Sequence, residues 1–270
     1  MPRLTLTDGD QICFEHYGSG TSLFLVSGLA GRAEFWSSHI EKLSKQYLVV
    51  THDHRGTGSS TRRRMSFSIE QMSSDVIALA DHLGIEQFHI LGHSTGGAIA
   101  QTLALDHSDR IRGLVLSATW AGKDSYIESL FSLRRDVLEE MGLNAYHRLA
   151  NIMLKPSNAF ADLLPTALVD NLMEDGASTA GAIADDTYNT SSRIRALLEF
   201  DRRADLHRIK HRTLISCATD DVIIPPHCSD ELHDGIADSI LKKYSSGGHA
   251  YTNVLEEEFR SDLMAFLKTA

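Results

Sequence analysis

The chain has too few cysteines for a disulfide framework. Three occur in 270 residues, Cys13, Cys217 and Cys228, and Cys217 lies in an apolar run where a free thiol acts as a small buried side chain. No basic segment followed by a short apolar stretch stands near the N-terminus, and no apolar run is long enough to span a bilayer. The expectation is a soluble, cytoplasmic protein with no membrane partner. Positive charge is also short, with 26 Lys+Arg against 36 Asp+Glu and a formal net charge of -10. That balance makes nonspecific nucleic-acid binding unattractive. The clusters Arg62-Arg63-Arg64 and Arg202-Arg203 are short and read as solvated surface. The 14 histidines form no H-E-x-x-H or comparably tight ligand set. No metal and no cofactor are expected, and most histidines are assigned to surface or loops.

What is present is concentrated in three places. Gly92-x-Ser94-x-Gly96 follows the strand-like run Phe88-His89-Ile90-Leu91 and precedes Ala98 to Asp106, whose apolar residues recur at helical spacing. A serine on a sharp turn between a strand and a helix projects its oxygen from the sheet, and the flanking glycines let the backbone pass tightly. A serine alcohol is a poor nucleophile at neutral pH. It needs a base, and the base needs a carboxylate to orient it. Both candidates come later in the chain. The apolar run Leu214 to Cys217 opens into Ala218-Thr219-Asp220-Asp221, and Leu241 to Tyr244 opens into Ser245-Ser246-Gly247-Gly248-His249. Each sits just past a strand, where doubly wound sheets hold their ligand sites.

The remaining pattern is a strand–helix alternation that breaks once. Arg3 to Leu6 and Gln11 to Tyr17 read as a hairpin around Asp8-Gly9. Apolar runs follow at Leu23 to Val26, Tyr47 to Thr51, Phe88 to Leu91 and Gly113 to Ser117. Helical patterns intervene at Trp36 to Leu43 and Ile69 to Leu83, as a right-handed parallel sheet requires. From about Lys123 to about Arg203 only helical periodicity is visible. In that stretch Met141, Met153 and Met173 read as packing residues. Arg134, Arg135, Arg193 and Arg195 offer either a grip on a substrate carboxylate or outward-facing charges, and the outward reading is preferred. Trp36 and Trp120, near the C-terminal edge of the sheet, are candidate pocket residues, with ordinary core packing as the equal alternative.

Four segments together resemble the α/β-hydrolase fold over nearly the whole chain. Val26-Ser27-Gly28-Leu29-Ala30-Gly31 with Phe35-Trp36 is similar to that family's oxyanion loop, and Asp53-His54-Arg55-Gly56-Thr57-Gly58-Ser59-Ser60 to its D-x-R-G-x-G-x-S turn. The serine elbow and the Asp and His loops complete the match, in the family's order of Ser, Asp, His. Within that family the chain is similar to 3-oxoadipate enol-lactonases and RutD-like aminoacrylate hydrolases, the latter through CATDDVIIPPHCSDELHDGIADS and GGHAYTNV.

The resemblance implies an α/β fold with a mostly parallel eight-stranded sheet. It also implies a core of residues 1–122 and 204–270, with residues 123–203 as a helical cap. It implies a serine hydrolase with Ser94 as nucleophile, His249 as base and Asp221 as orienting acid. Asp221 fits the family spacing G-x-x-D-x-x-x-P, since it lies four before Pro225, whereas Asp220 is the competitor. Backbone N–H groups of Leu29 and Thr95 are the implied oxyanion donors. His93 reads as packing behind the serine, and Asp53 and Arg55 as loop ties. Expected substrates are small esters, enol-lactones and carbamate- or amide-like compounds, with a homodimer left open. Carbon–carbon bond hydrolysis with the same triad, or a slow-turnover ligand receptor, are the alternatives.

Overall fold

The computed structural model describes residues 1–160 and 180–270. A hairpin opens the chain: β1 (Arg3–Thr5) and β2 (Gln11–Tyr17) pair antiparallel, turning at Gly9 with φ 86°. β2 then pairs antiparallel with β4 (Leu48–His52). All later neighbours are parallel: β3 (Ser22–Val26), β5 (Phe88–His93), β6 (Ile111–Ser117), β7 (Thr213–Ala218) and β8 (Ser239–Tyr244). The order β1-β2-β4-β3-β5-β6-β7-β8 makes one eight-stranded sheet, as expected.

Side-chain alternation explains why the central strands are apolar throughout. Phe24 and Val26 of β3 join Ile90, Leu114 and Leu116 on one face. Leu23 and Leu25 join Leu91 and Val115 on the other. Successive residues point to opposite faces, and helices cover both, so every residue of β3 and β5 is buried. The first face packs against α2 (Ile69–His82) through Val76 and Leu79, and against α3 (Thr95–Asp106) through Ile99 and Leu103. The Ser68 hydroxyl starts α2 by accepting the Gln71 N–H at 3.1 Å. The second face packs against Leu43 of α1 (Ser37–Leu43) and Phe259 and Leu263 near the C-terminus. Asp53 and Arg55 tie loops, as expected. The Asp53 carboxylate accepts from Ala33 and Ser59 N–H at 2.9 and 2.8 Å, and Arg55 holds Asp75 with two bonds of 2.8 and 3.0 Å.

Between β6 and β7 the described residues carry helices and no strand of the sheet. α4 (Ser125–Met141) is capped by the Asp124 carboxylate, which accepts the Ile127 N–H at 2.8 Å. Gly142, at φ 85°, turns the chain into α5 (Leu143–Leu154). α6 (Ala180–Glu199) returns to the core. The two ends of this insert are tied together. Gly122 and Asp201 form an antiparallel bridge, and Arg202 N–H donates to Ala121 O at 2.7 Å. The Arg203 guanidinium bonds the Gly122 and Lys123 carbonyls and Glu231. The reading of Arg202-Arg203 as solvated surface is therefore corrected: the Arg203 guanidinium supplies donors to a carbonyl-rich neck, and the Arg202 guanidinium bonds Asp106 at 3.0 Å. Met153 packs partly against the core, Met141 is exposed, and Met173 lies outside the described residues. After β7 come α7 (Pro226–Gly235), then β8, α8 (Tyr251–Val254) and α9 (Glu256–Leu267). Among the described residues no helix is long and apolar enough to cross a membrane.

Candidate active site

The turn that carries Ser94 is held against its own preference. Ser94 has φ 55° and ψ -121°, a region that costs a non-glycine residue on the order of 1–3 kcal/mol. Hydrogen bonds on both sides fix it there. Ser94 N–H donates to Ser117 O at 2.8 Å, Ser94 O accepts from Gly97 N–H at 2.8 Å, and the Thr119 hydroxyl also donates to Ser94 O at 2.8 Å. The glycines are required by close approach. A Cβ on Gly92 would lie 2.1 Å from Gly96 O, and one on Gly96 would lie 2.2 Å from Val26 O. The motif thus encodes a backbone crossing that no larger residue permits.

The loops after β7 and β8 meet at a buried acid–imidazole pair. His249 Nδ1 lies 2.7 Å from Asp221 Oδ2, and both side chains are buried. The other oxygen, Oδ1, accepts the Ile223 and Ile224 N–H groups at 2.8 and 3.0 Å. These bonds fix the carboxylate in place, with its second oxygen facing the imidazole Nδ1. Asp220 faces elsewhere: its carboxylate accepts from Gly247 and Gly248 N–H at 3.2 and 2.8 Å. The neighbouring acids divide the work. Asp221 touches the histidine, and Asp220 braces the glycine loop that delivers it.

His249 reaches the serine turn through His93, the last residue of β5, with ring centroids 4.9 Å apart. Ser94 and His249 share no direct hydrogen bond among the described residues, a common state of such pairs before substrate binds. Leu29 N–H and Thr95 N–H are likewise without a partner among the described residues. Thr95 opens α3, whose N-terminus favours negative charge. The Leu29 loop runs close to the serine, because a Cβ on Gly28 would lie 3.0 Å from Ser94 Cβ.

Behind the serine lies a polar chain absent from the sequence reading. His93 Nδ1 is 3.0 Å from Ser117 Oγ, which is 2.6 Å from the Tyr251 hydroxyl, which is 2.7 Å from Ser216 Oγ. Burial, and then the nearby His249, push the His93 imidazole well below its ordinary 6.5, so it stays neutral. His39, His52 and His89 are also buried, on a helix and two strands, and depart from the surface-or-loop assignment, and His54 is buried in the loop after β4. A neutral imidazole can pack as an aromatic ring.

Two sets of candidates need correction. Trp36 and Trp120 are fully buried at 0% exposure, with no surface to offer solvent or a pocket. Trp36 packs on Phe35 and His93, and Trp120 on Phe200. Both are packing residues. The outward reading suits Arg195, which is exposed, and half-buried Arg135. It fails for Arg134 and Arg193, at 5% and 1% exposure. A signal was available: Ile127, Phe131, Arg134 and Leu138 recur at helical spacing and form one buried stripe of α4.

A possible metal-ligand set lies off this site. The donor atoms of Asp124, His227 and Cys228 fall within 4.8 Å of one another. Each is otherwise engaged: Asp124 caps α4 and bonds His227 Nε2 at 2.7 Å, and burial pushes the Cys228 thiol up to about 12.

Comparison with known proteins gives the family of this fold. A family model described as the alpha/beta hydrolase fold matches residues 21–251. The protein named "Putative carbamate hydrolase RutD" of Caulobacter segnis is 34% identical over 267 residues, covering 97% of this chain and 98% of its own. Its namesake in Azorhizobium caulinodans is 32% identical over 266 residues, covering 98% of each. Among solved structures, the enol-lactonase of Burkholderia xenovorans superimposes with a TM-score of 0.86 at 23% identity, covering 99% of this chain and 100% of that one. The chain belongs to the α/β-hydrolase family.

Proposed function

We propose that the protein is a serine hydrolase that cleaves a small carboxylic ester, enol-lactone or carbamate- or amide-like substrate through an acyl-enzyme. The observation that carries this reading is the 2.7 Å contact of His249 Nδ1 with Asp221 Oδ2, in loops that meet the strained Ser94 turn. Ser94 Oγ attacks the carbonyl carbon while His249 Nε2 takes its proton. Asp221 holds the imidazole in the required tautomer and stabilises the imidazolium. The carbonyl oxygen, now an anion, is held by Leu29 and Thr95 N–H. The tetrahedral carbon then expels the leaving group, which takes the proton from His249, and leaves an ester on Ser94. A water that gives its proton to His249 attacks that ester, and collapse releases the acid and restores Ser94.

The insert acts in this proposal as a cap. Two contacts with the site loops support it: Leu154 O, at the end of α5, accepts the N–H of Ala250, next to His249, at 2.8 Å, and Arg193 of α6 reaches His54 at 2.8 Å. A cap over such a site excludes water and shapes the acyl pocket.

The test is turnover of short p-nitrophenyl esters, an enol-lactone, small carbamates and a vinylogous diketone by wild type, Ser94→Ala and His249→Ala. The proposal expects ester, lactone or carbamate turnover that falls by at least about a thousandfold in both variants. Activity that survives Ser94→Ala would overturn it. Turnover of the diketone alone would replace it with carbon–carbon bond hydrolysis.

A further inference from the structure

Buried charges in proteins are paired, because an isolated ion loses its hydration without compensation. Arg134 and Arg193 depart from that rule. Arg193 donates from Nη1 to Arg55 O at 3.1 Å and from Nη2 to His54 Nδ1 at 2.8 Å, and it lies over the Phe67 ring. Arg134 donates from Nη2 to the Tyr146 hydroxyl at 3.0 Å and lies against the Phe131 and Tyr146 rings. Neither guanidinium has a carboxylate partner among the described residues. Burial pushes Arg193 down to about 10, so at neutral pH it remains a cation.

The uncharged partners leave donors over. Because His54 Nδ1 accepts from Arg193, its proton is on Nε2. That Nε2–H is buried without an acceptor, as are the Nε–H groups of Arg134 and Arg193. The Tyr146 hydroxyl accepts from Arg134 and keeps its own proton to donate. The helices that carry the two arginines, α4 and α6, lie against each other, and the Ser191 hydroxyl of α6 donates to Glu139 Oε1 of α4 at 2.7 Å. A purely structural strut would explain the grip of Arg193 on the His54 ring and the Arg55 carbonyl. It would leave Arg134 and the three orphaned donors unexplained. An anion would satisfy them.

The cluster is also next to the candidate active site. A Cβ on Gly31 would lie 2.6 Å from Arg193 Nη2, and Gly31 N–H closes a turn on Gly28 O at 2.9 Å. Gly28 in turn approaches Ser94. One tight turn of the Leu29 loop separates the guanidinium from the serine.

We propose that Arg134 and Arg193, with His54 and Tyr146, form an anion subsite that receives a carboxylate carried by the substrate, apart from the carbonyl attacked by Ser94. The proposal rests on the serine-hydrolase reading and narrows its substrates to small esters, lactones or carbamates with a free carboxylate.

Two measurements test it. Wild type, Arg134→Gln and Arg193→Lys are compared on p-nitrophenyl acetate and mono-p-nitrophenyl succinate, which share a leaving group and differ by a carboxylate. Wild type is expected to favour the succinate ester. Each variant is expected to lower the succinate-to-acetate ratio of kcat/KM by about 10- to 100-fold, chiefly through KM, the scale of a lost charged hydrogen bond. Equal losses on both esters, or a wild-type preference for the acetate ester, would overturn the subsite. The second measurement uses thermal unfolding of Ser94→Ala with free succinate. A rise in Tm that Arg134→Gln abolishes is expected, and no rise in the single variant would overturn the proposal. Hydrolysis that survives Ser94→Ala would instead sink the serine mechanism, while the Tm shift still reports on the subsite.

Discussion

At the scale of single residues, the structure separates two adjacent acids that the sequence offers together. Asp221 bonds the imidazole and Asp220 bonds the backbone that carries it. Asp221→Asn should lower kcat by about 10⁴-fold, because the amide favours the wrong histidine tautomer. Asp220→Asn keeps one acceptor oxygen for the glycine N–H groups and should cost at least tenfold less. Ester kinetics on both variants check the difference, and equal losses would reverse the assignment. The spacing to Pro225 made Asp221 legible. Arg134 and Arg193 were not read as buried, because charge was weighed ahead of position. The apolar neighbours of Arg134 at helical spacing carried the opposite information.

Elements were more legible than contacts. The hairpin, the parallel strands and α2 follow from apolar runs and turn residues, and their limits move by only a residue or two. For Trp36 and Trp120 the sequence leaves pocket and core packing equally open, because it places a residue near a sheet edge without saying whether a helix covers it. At the elbow the sequence encodes geometry directly. Gly96→Ala should destabilise the fold by about 1–3 kcal/mol or prevent folding, since its Cβ would meet Val26 O. Ser94→Gly should be more stable than Ser94→Ala by about 1 kcal/mol, because glycine accepts the left-handed backbone. Urea unfolding of the variants measures both, and equal stability of the two Ser94 variants would mean that the turn is not strained.

For the whole molecule, buried histidines couple stability to pH. Burial holds His52 and His89 at about 4, below the ordinary 6.5, and pushes His54 and His93 well below it. The unfolded chain takes up these protons near 6.5, and folded His52 and His89 resist until about 4. Their stabilisation is complete above 6.5 and is lost as pH falls from 6.5 towards 4. Urea midpoints should drop across that window, and His52→Gln should make the slope of stability against pH shallower by about one proton. An unchanged slope would mean that His52 is protonated in the fold. The histidine-rich interior was invisible in the sequence, where no periodicity marks a neutral ring as core.

The most direct test of the account is covalent labelling with a small fluorophosphonate, read by intact mass and peptide mapping. One adduct per chain on Ser94 is expected, formed rapidly in wild type, slowly in His249→Ala and Asp221→Asn, and absent from Ser94→Ala. An adduct on another residue, or hydrolysis by fully labelled protein, would contradict it.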